Sequence, residues 1–131
     1  MPSSRPTGGR TPKRRRLSRS AEFERVYRQG RSKANRFLVL YAFAREPADA
    51  EEPRLGLSVS RRVGGAVDRS RVKRALREAF WQEAQRLPPT ADYVVVARPD
   101  ALGLVEREGT AGVRAALGEL VDGLGGERGA A

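Results

Sequence analysis

One stretch, RRVGGAVDRSRVKRALREAF from Arg61 to Phe80, constrains the fold more than any other part of the chain. At about 100° per residue, Val72, Ala75, Leu76, Ala79, Phe80 and, further on, Leu87 cluster on one side of a helix. The helix is predicted from about Ala66 or Asp68 to Leu87, and Pro88-Pro89 ends it. Lys73, Arg77, Ser70 and Arg74 fall on a neighbouring arc, with Arg69 and Arg71 at the helix start. One face is therefore anchored in a core, and the other presents guanidinium groups as a ridge. Ordinary surface helices mix signs to form i,i+4 pairs. Here no acid lies between Arg69 and Arg77, so the cations repel one another unless an anion joins them. Planar guanidinium forks suit phosphate, and a helix N-terminus adds N–H groups and a positive dipole end. The plainer reading is a solvated basic face. Gly64-Gly65 lacks Walker spacing and marks a turn.

Charge distribution supports the sharper reading. The chain of 131 residues has a formal net charge of +10, which points to a polyanion. Nucleic acid is the first candidate and an acidic membrane surface the second. Residues 1–37 carry twelve Lys/Arg against Glu22 and Glu24, and residues 61–77 carry seven against Asp68. The remainder has seven basic and thirteen acidic residues, so two basic segments sit on an acidic protein. Segregated charge suggests a face. No apolar run approaches the roughly 18 residues a spanning helix needs, and no signal peptide is visible. There is no cysteine, which excludes disulfides and thiolate metal sites and is compatible with a reducing cytoplasm. There is no histidine, so the commonest general base near neutral pH is missing. Side chains of this kind are poorly equipped for hydrolysis themselves, though they can hold something that performs it.

Along the chain, residues 1–17 are rich in Pro, Gly, Ser and Arg and read as a disordered basic arm. A short helix follows, capped by Ser18 or Ser20 and ended by Gly30, with Phe23, Val26 and Tyr27 as its apolar stripe. FLVLYAF, Phe37 to Phe43, reads as a strand with Phe37, Val39, Tyr41 and Phe43 on one face. RLGLSVS, Arg54 to Ser60, reads as another, with Leu55, Leu57 and Val59 facing one way. These two are expected to pair antiparallel. DYVVVARP is a continuous apolar strand of the kind buried on both faces. After a turn near Asp100, TAGVRAALGELVDGL reads as a final helix, and residues 125–131 are expected to fray. Phe23, Tyr27 and Tyr41 serve either as core packing or as a platform for unpaired bases. Trp81 falls on the basic side of the long helix, where it stacks on RNA or covers a core edge.

RLGLSVSRRVGGAVDRSRVKRALREAF closely resembles the signature of the bacterial ribonuclease P protein subunit, approximately R-x-G-x-x-V-S-K-K-x-G-x-A-V-x-R-N-R-x-K-R-x-x-R-E. SAEFERVYRQGRSKANRFLVLY matches the N-terminal region of that family and DYVVVARP its last strand, so the resemblance covers roughly residues 17–124. Two departures stand out. The Lys-Lys of the family is Arg61-Arg62, and the Asn between its two arginines is Ser70. The first keeps the charge; the second loses an amide and its hydrogen bonds.

The resemblance implies a protein that assists a catalytic RNA in removing the 5′ leader from precursor tRNA. It implies that the RNA holds Mg²⁺ and the active centre, that the protein supplies no catalytic or metal-binding side chain, and that one protein joins one RNA in the cytoplasm, away from membranes. It places Arg61, Arg62, Arg69, Ser70, Arg71, Lys73, Arg74 and Arg77 against the catalytic RNA. Phe23, Tyr27 and Tyr41 would line a cleft for the single-stranded leader. The implied fold is a single-domain α+β sandwich over residues 18–124. Its order is α-β-β-β-α-β-α, with a left-handed β-α-β crossover and a first strand near Arg31–Ala34. General rules would have favoured a right-handed crossover. Two other classes compete: a non-catalytic RNA-binding module such as a ribosomal protein, and a nuclease using Asp49, Glu51 and Glu52.

Overall fold

The computed structural model describes residues 20–44, 53–88 and 91–130. The basic arm, the Ser18 cap and the acidic loop with Asp49, Glu51 and Glu52 lie outside them. The elements run α1 (Ser20–Gln29), β1 (Arg31–Ala34), β2 (Leu38–Ala44), β3 (Arg54–Val59), α2 (Ala66–Glu83), a 3-10 turn (Ala84–Arg86), β4 (Ala91–Ala97) and α3 (Ala101–Ala130). This is the α-β-β-β-α-β-α order, and the four strands form one mixed sheet ordered β1-β2-β4-β3.

The expected antiparallel pairing of β2 with β3 is not what forms. β4 lies between them, antiparallel to β2 (Leu38 opposite Ala97) and parallel to β3 (Leu55 opposite Tyr93). The reason is burial. β4 is the strand buried most completely on both faces, so an inner place in the sheet is where it loses most water-exposed apolar surface. Tyr93, Val95 and Ala97 point into the larger core with Leu38, Leu40, Leu55 and Val59, against Val72, Leu76 and Phe80 of α2 and Val113, Leu117 and Leu120 of α3. Val94 points the other way and meets Val26 of α1, both fully buried. Helices α1 and α2 therefore lie on opposite faces of the sheet.

Close approach at one glycine sets the position of α1. The Gly30 N–H donates to the Val26 carbonyl, and a Cβ there would lie 2.5 Å from the carbonyl oxygens of both Val26 and Ala42. Only glycine lets the chain leave α1 directly over β2. The β1–β2 turn is closed by the Asn35 carboxamide oxygen, which accepts from the N–H groups of Phe37 and Leu38, while its amide donates to Ala116 of α3.

α3 begins earlier than the pattern predicted. A first segment from Ala101 precedes a break at Gly109, whose φ of 64° and ψ of −156° depart from helical geometry. Ala101 and Leu104 are buried there, but Gly103 and Gly109 disguise so short a stripe. Beyond Gly109 the predicted stripe Val113, Leu117, Leu120, Val121 and Leu124 is buried, joined by Ala116.

Helices α2 and α3 are also joined by charge. Glu83, only 6% exposed, accepts from Arg86 (2.9 Å to Nε) and from Arg114 of α3 (2.8 Å). Burial alone would raise its pKa, but the Arg114 and Arg86 hydrogen bonds outweigh that and hold the carboxyl below its ordinary value.

Candidate nucleic-acid interface

The loop before α2 shows how the basic ridge is presented. The Val63 N–H donates to the Ser60 carbonyl (3.0 Å), and the buried Val63 side chain pins the turn. Arg61 and Arg62 are thereby left exposed at its outer edge. Helix α2 then starts from Gly65 without any capping side chain, so its first N–H groups keep the anion-attracting character of an open helix end. With Val72, Ala75, Leu76, Ala79 and Phe80 committed to the core, Ser70, Arg71 and Arg74 are exposed, and Arg69, Lys73 and Arg77 are half-buried. The structure thus brings all eight predicted ridge residues onto one loop and one helix.

Their surroundings differ in ways the helical wheel could not show. Among the described residues no carboxylate pairs with Arg61, Arg62, Arg69, Lys73 or Arg74. The Nε of Arg69 is buried without a hydrogen-bond partner. Arg77 is engaged by neighbours. Arg71 is bracketed: its Nη1 lies 3.6 Å from Asp68 Oδ1 and 3.6 Å from Glu106 Oε2 on α3. Beside these cations Val67 is 75% exposed, an apolar spot that the charge pattern concealed. Trp81 meets Phe80 edge-to-face at 4.8 Å and packs against the core, so it covers a core edge.

The aromatic group lies on the other face of the sheet. Phe23, Tyr41, Phe43 and Val96 pack, partly buried, around Val26 and Val94. Tyr27 stands 39% exposed above them. Its ring is edge-to-face with Tyr41 at 4.8 Å and with Phe23 at 6.2 Å. The predicted trio is therefore contiguous: Phe23 and Tyr41 pack, while Tyr27 is the accessible ring. Burial, then the Tyr41 phenol, raises the Tyr27 pKa against a hydrogen bond with the Ser58 side chain that lowers it. Tyr27 thus stays a neutral phenol near pH 7.

Sequence reasoning missed the charged neighbours of this surface. The Arg25 guanidinium sits 5.9 Å above the Phe43 ring, in cation–π range. Arg54 grips Asp92, which is 1% exposed, through two hydrogen bonds of 2.8 Å. The Arg54–Asp92 pair occupies matched positions on β3 and β4, a register that no local pattern encodes. Among the described residues no group of three or more carboxylates is arranged to hold a metal ion, and no helix is long and apolar enough to cross a membrane.

The sequence model of the Ribonuclease P family matches residues 11–121. The chain belongs to the ribonuclease P protein family. The ribonuclease P protein component of Bacillus pumilus is 43% identical over 96 residues, covering 73% of this chain and 79% of that protein. The Shouchella clausii protein component is 47% identical, with coverages of 73% and 77%. Among solved structures, the Staphylococcus aureus RNase P protein superposes with a TM-score of 0.69 at 32% identity, over 82% of this chain and 93% of that one. The Thermotoga maritima RNase P protein gives 0.68 at 29% identity, over 78% and 90%. As a ribonuclease P protein component, this chain is the protein subunit of an endoribonuclease, partners the ribonuclease P RNA and assists 5′-leader processing of precursor tRNA.

Proposed function

We propose that the two surfaces divide the work of the holoenzyme. The α2 ridge, with Arg61, Arg62, Arg69, Ser70, Arg71, Lys73, Arg74 and Arg77, contacts the phosphates of the ribonuclease P RNA. The α1 face, through Tyr27 with Phe23 and Tyr41 behind it, contacts the single-stranded leader of precursor tRNA. The observation that carries this is the separation by the sheet: five cations with no carboxylate partner among the described residues (Arg61, Arg62, Arg69, Lys73 and Arg74) gather on one side of it and an accessible aromatic group on the other. Stacking is tolerant of base identity, which fits leaders of varied sequence.

In this reading the protein binds and orients, and the RNA holds Mg²⁺ and carries out hydrolysis. Aligned arginines lower the repulsion between two polyanions, and the leader contact raises the affinity for precursor over mature tRNA. One protein joins one RNA in the cytoplasm. The domain is assigned to residues 18–124, preceded by a basic arm (1–17) and followed by residues 125–131, into which α3 continues as far as Ala130. The β3–α2–β4 crossover between parallel neighbours is left-handed, as the family resemblance implies. The test is reconstitution. Protein alone should cleave no precursor tRNA, and adding the catalytic RNA should restore cleavage at modest Mg²⁺. Leader removal by RNA-free protein would refute this division of labour.

A further inference from the structure

Arg71 differs from its neighbours on the ridge in having carboxylates on two sides. Both approach one nitrogen, Nη1, at 3.6 Å. Those distances are longer than a hydrogen bond, so the attraction is Coulombic and loose. The side chains are also about half exposed, at 45% for Arg71, 39% for Asp68 and 51% for Glu106. Water and salt therefore weaken both pairs.

The two acids are not equivalent. Asp68 is a short side chain in the first turn of α2, where the helix dipole favours it. Glu106 reaches Arg71 from α3 on a longer stem, and it makes no other ion pair or hydrogen bond among the described residues. Among the carboxylates of α3, Glu106 thus stands against the ridge, whereas Glu119 bonds Asn35 and Asp122 bonds Arg86.

From this we infer that Glu106 is a positioning residue for RNA assembly. It holds Arg71 in the free protein and yields the guanidinium to a backbone phosphate of the ribonuclease P RNA. The inference rests on the reading of the α2 ridge as the RNA face. A phosphate can meet the guanidinium with two oxygens at normal hydrogen-bond length, which is a stronger arrangement than the loose pair it displaces. Glu106 then turns to solvent at little cost. An RNA that only drifts near the ridge gains from the unpaired cations but not from Arg71. One that sets a phosphate at Arg71 gains the exchange, so Glu106 favours a docked RNA over a merely attracted one.

The experiment is a double-mutant cycle with the catalytic RNA transcribed from the same genome, measuring assembly against salt. Glu106→Gln should tighten assembly by about two- to fivefold, the scale of an exposed ion pair. It should also steepen the log–log salt slope, by less than the ~0.9 of a wholly free cation because Asp68 still lies 3.6 Å from Arg71 Nη1. In an Arg71→Ala background both effects should vanish. A gain of equal size in that background would mean that Glu106 acts only through its distant field, and would overturn the inference. So would an unchanged or weakened affinity in Glu106→Gln alone. Arg74→Ala separates the two levels. If it weakens assembly while Glu106→Gln does nothing, the inference fails and the ridge reading stands. If Arg74→Ala also leaves assembly unchanged, the ridge reading fails and takes the inference with it.

Discussion

Replacing Tyr27 by alanine should affect leader binding and RNA assembly very differently. The ring is 39% exposed and meets Tyr41 and Phe23 edge-to-face. Truncating a fully buried aromatic costs about 3–5 kcal/mol, so a partly exposed one should cost ~2 kcal/mol of stability. One base stacked on Tyr27 contributes about 1–3 kcal/mol, so losing it should lower the ratio of precursor to mature tRNA affinity by roughly 5- to 150-fold. Assembly with the catalytic RNA should stay nearly unchanged, because Tyr27 lies across the sheet from α2. Tyr27→Phe keeps the ring and loses the bond with Ser58. It should cost about 0.5–1.5 kcal/mol of stability and preserve most of the ratio. The assay is equilibrium binding of the reconstituted holoenzyme to tRNA with and without its leader, with a melting curve for each variant. A Tyr27→Ala protein that stays folded and keeps the wild-type ratio would refute the stacking argument and make Tyr27 a packing residue.

Five ridge cations without a paired carboxylate among the described residues (Arg61, Arg62, Arg69, Lys73 and Arg74) set the salt response. At 0.7–0.9 per contact, the log–log slope of assembly should be roughly −3.5 to −4.5, and a flat titration would mean a merely solvated face. Glu83→Gln should destabilise the protein near pH 7 by about 2 kcal/mol, below the usual 3–5 for a broken buried pair because Arg86 and Arg114 are half exposed. Since the folded pKa of Glu83 is depressed, its contribution is present above the unfolded value of about 4.3 and is lost as pH falls through the folded one. Urea melts at neutral and acid pH should show the wild-type advantage shrinking in acid, and a pH-independent gap would contradict the network. Gly30→Ala drives a Cβ against two carbonyl oxygens and should cost about 1–3 kcal/mol in a thermal melt, whereas an unchanged Tm would show that α1 can shift freely.

What the sequence determined by itself was local or additive. The stripe Val72, Ala75, Leu76, Ala79, Phe80 follows from helical geometry alone, so it fixed which side of α2 is buried and which cations remain outside. Net charge and its segregation need no coordinates. The unbroken apolar run of β4 implied burial on both faces, and the structure shows that burial. The signature around Arg61–Glu78 led to the family because it spans many positions in one fixed order.

Tertiary structure decided what depends on partners distant in the chain. β2 and β3 are neighbours in sequence, yet β4 separates them, since strand order answers to the total apolar area buried and not to chain proximity. The first segment of α3 was hidden because Gly103 and Gly109 weaken a short stripe that only packing against the sheet and α2 stabilises. The ridge looked uniform on a helical wheel, but Glu106 arrives from a different helix and makes Arg71 unlike Arg74. Tyr27 and Tyr41 were indistinguishable as letters. Their different exposure comes from where α1 crosses the sheet, and that crossing is set by the contact of Gly30 with Ala42. Spacing along a chain reports which residues share a face, whereas the charge or ring that face meets is supplied by whatever the fold lays against it.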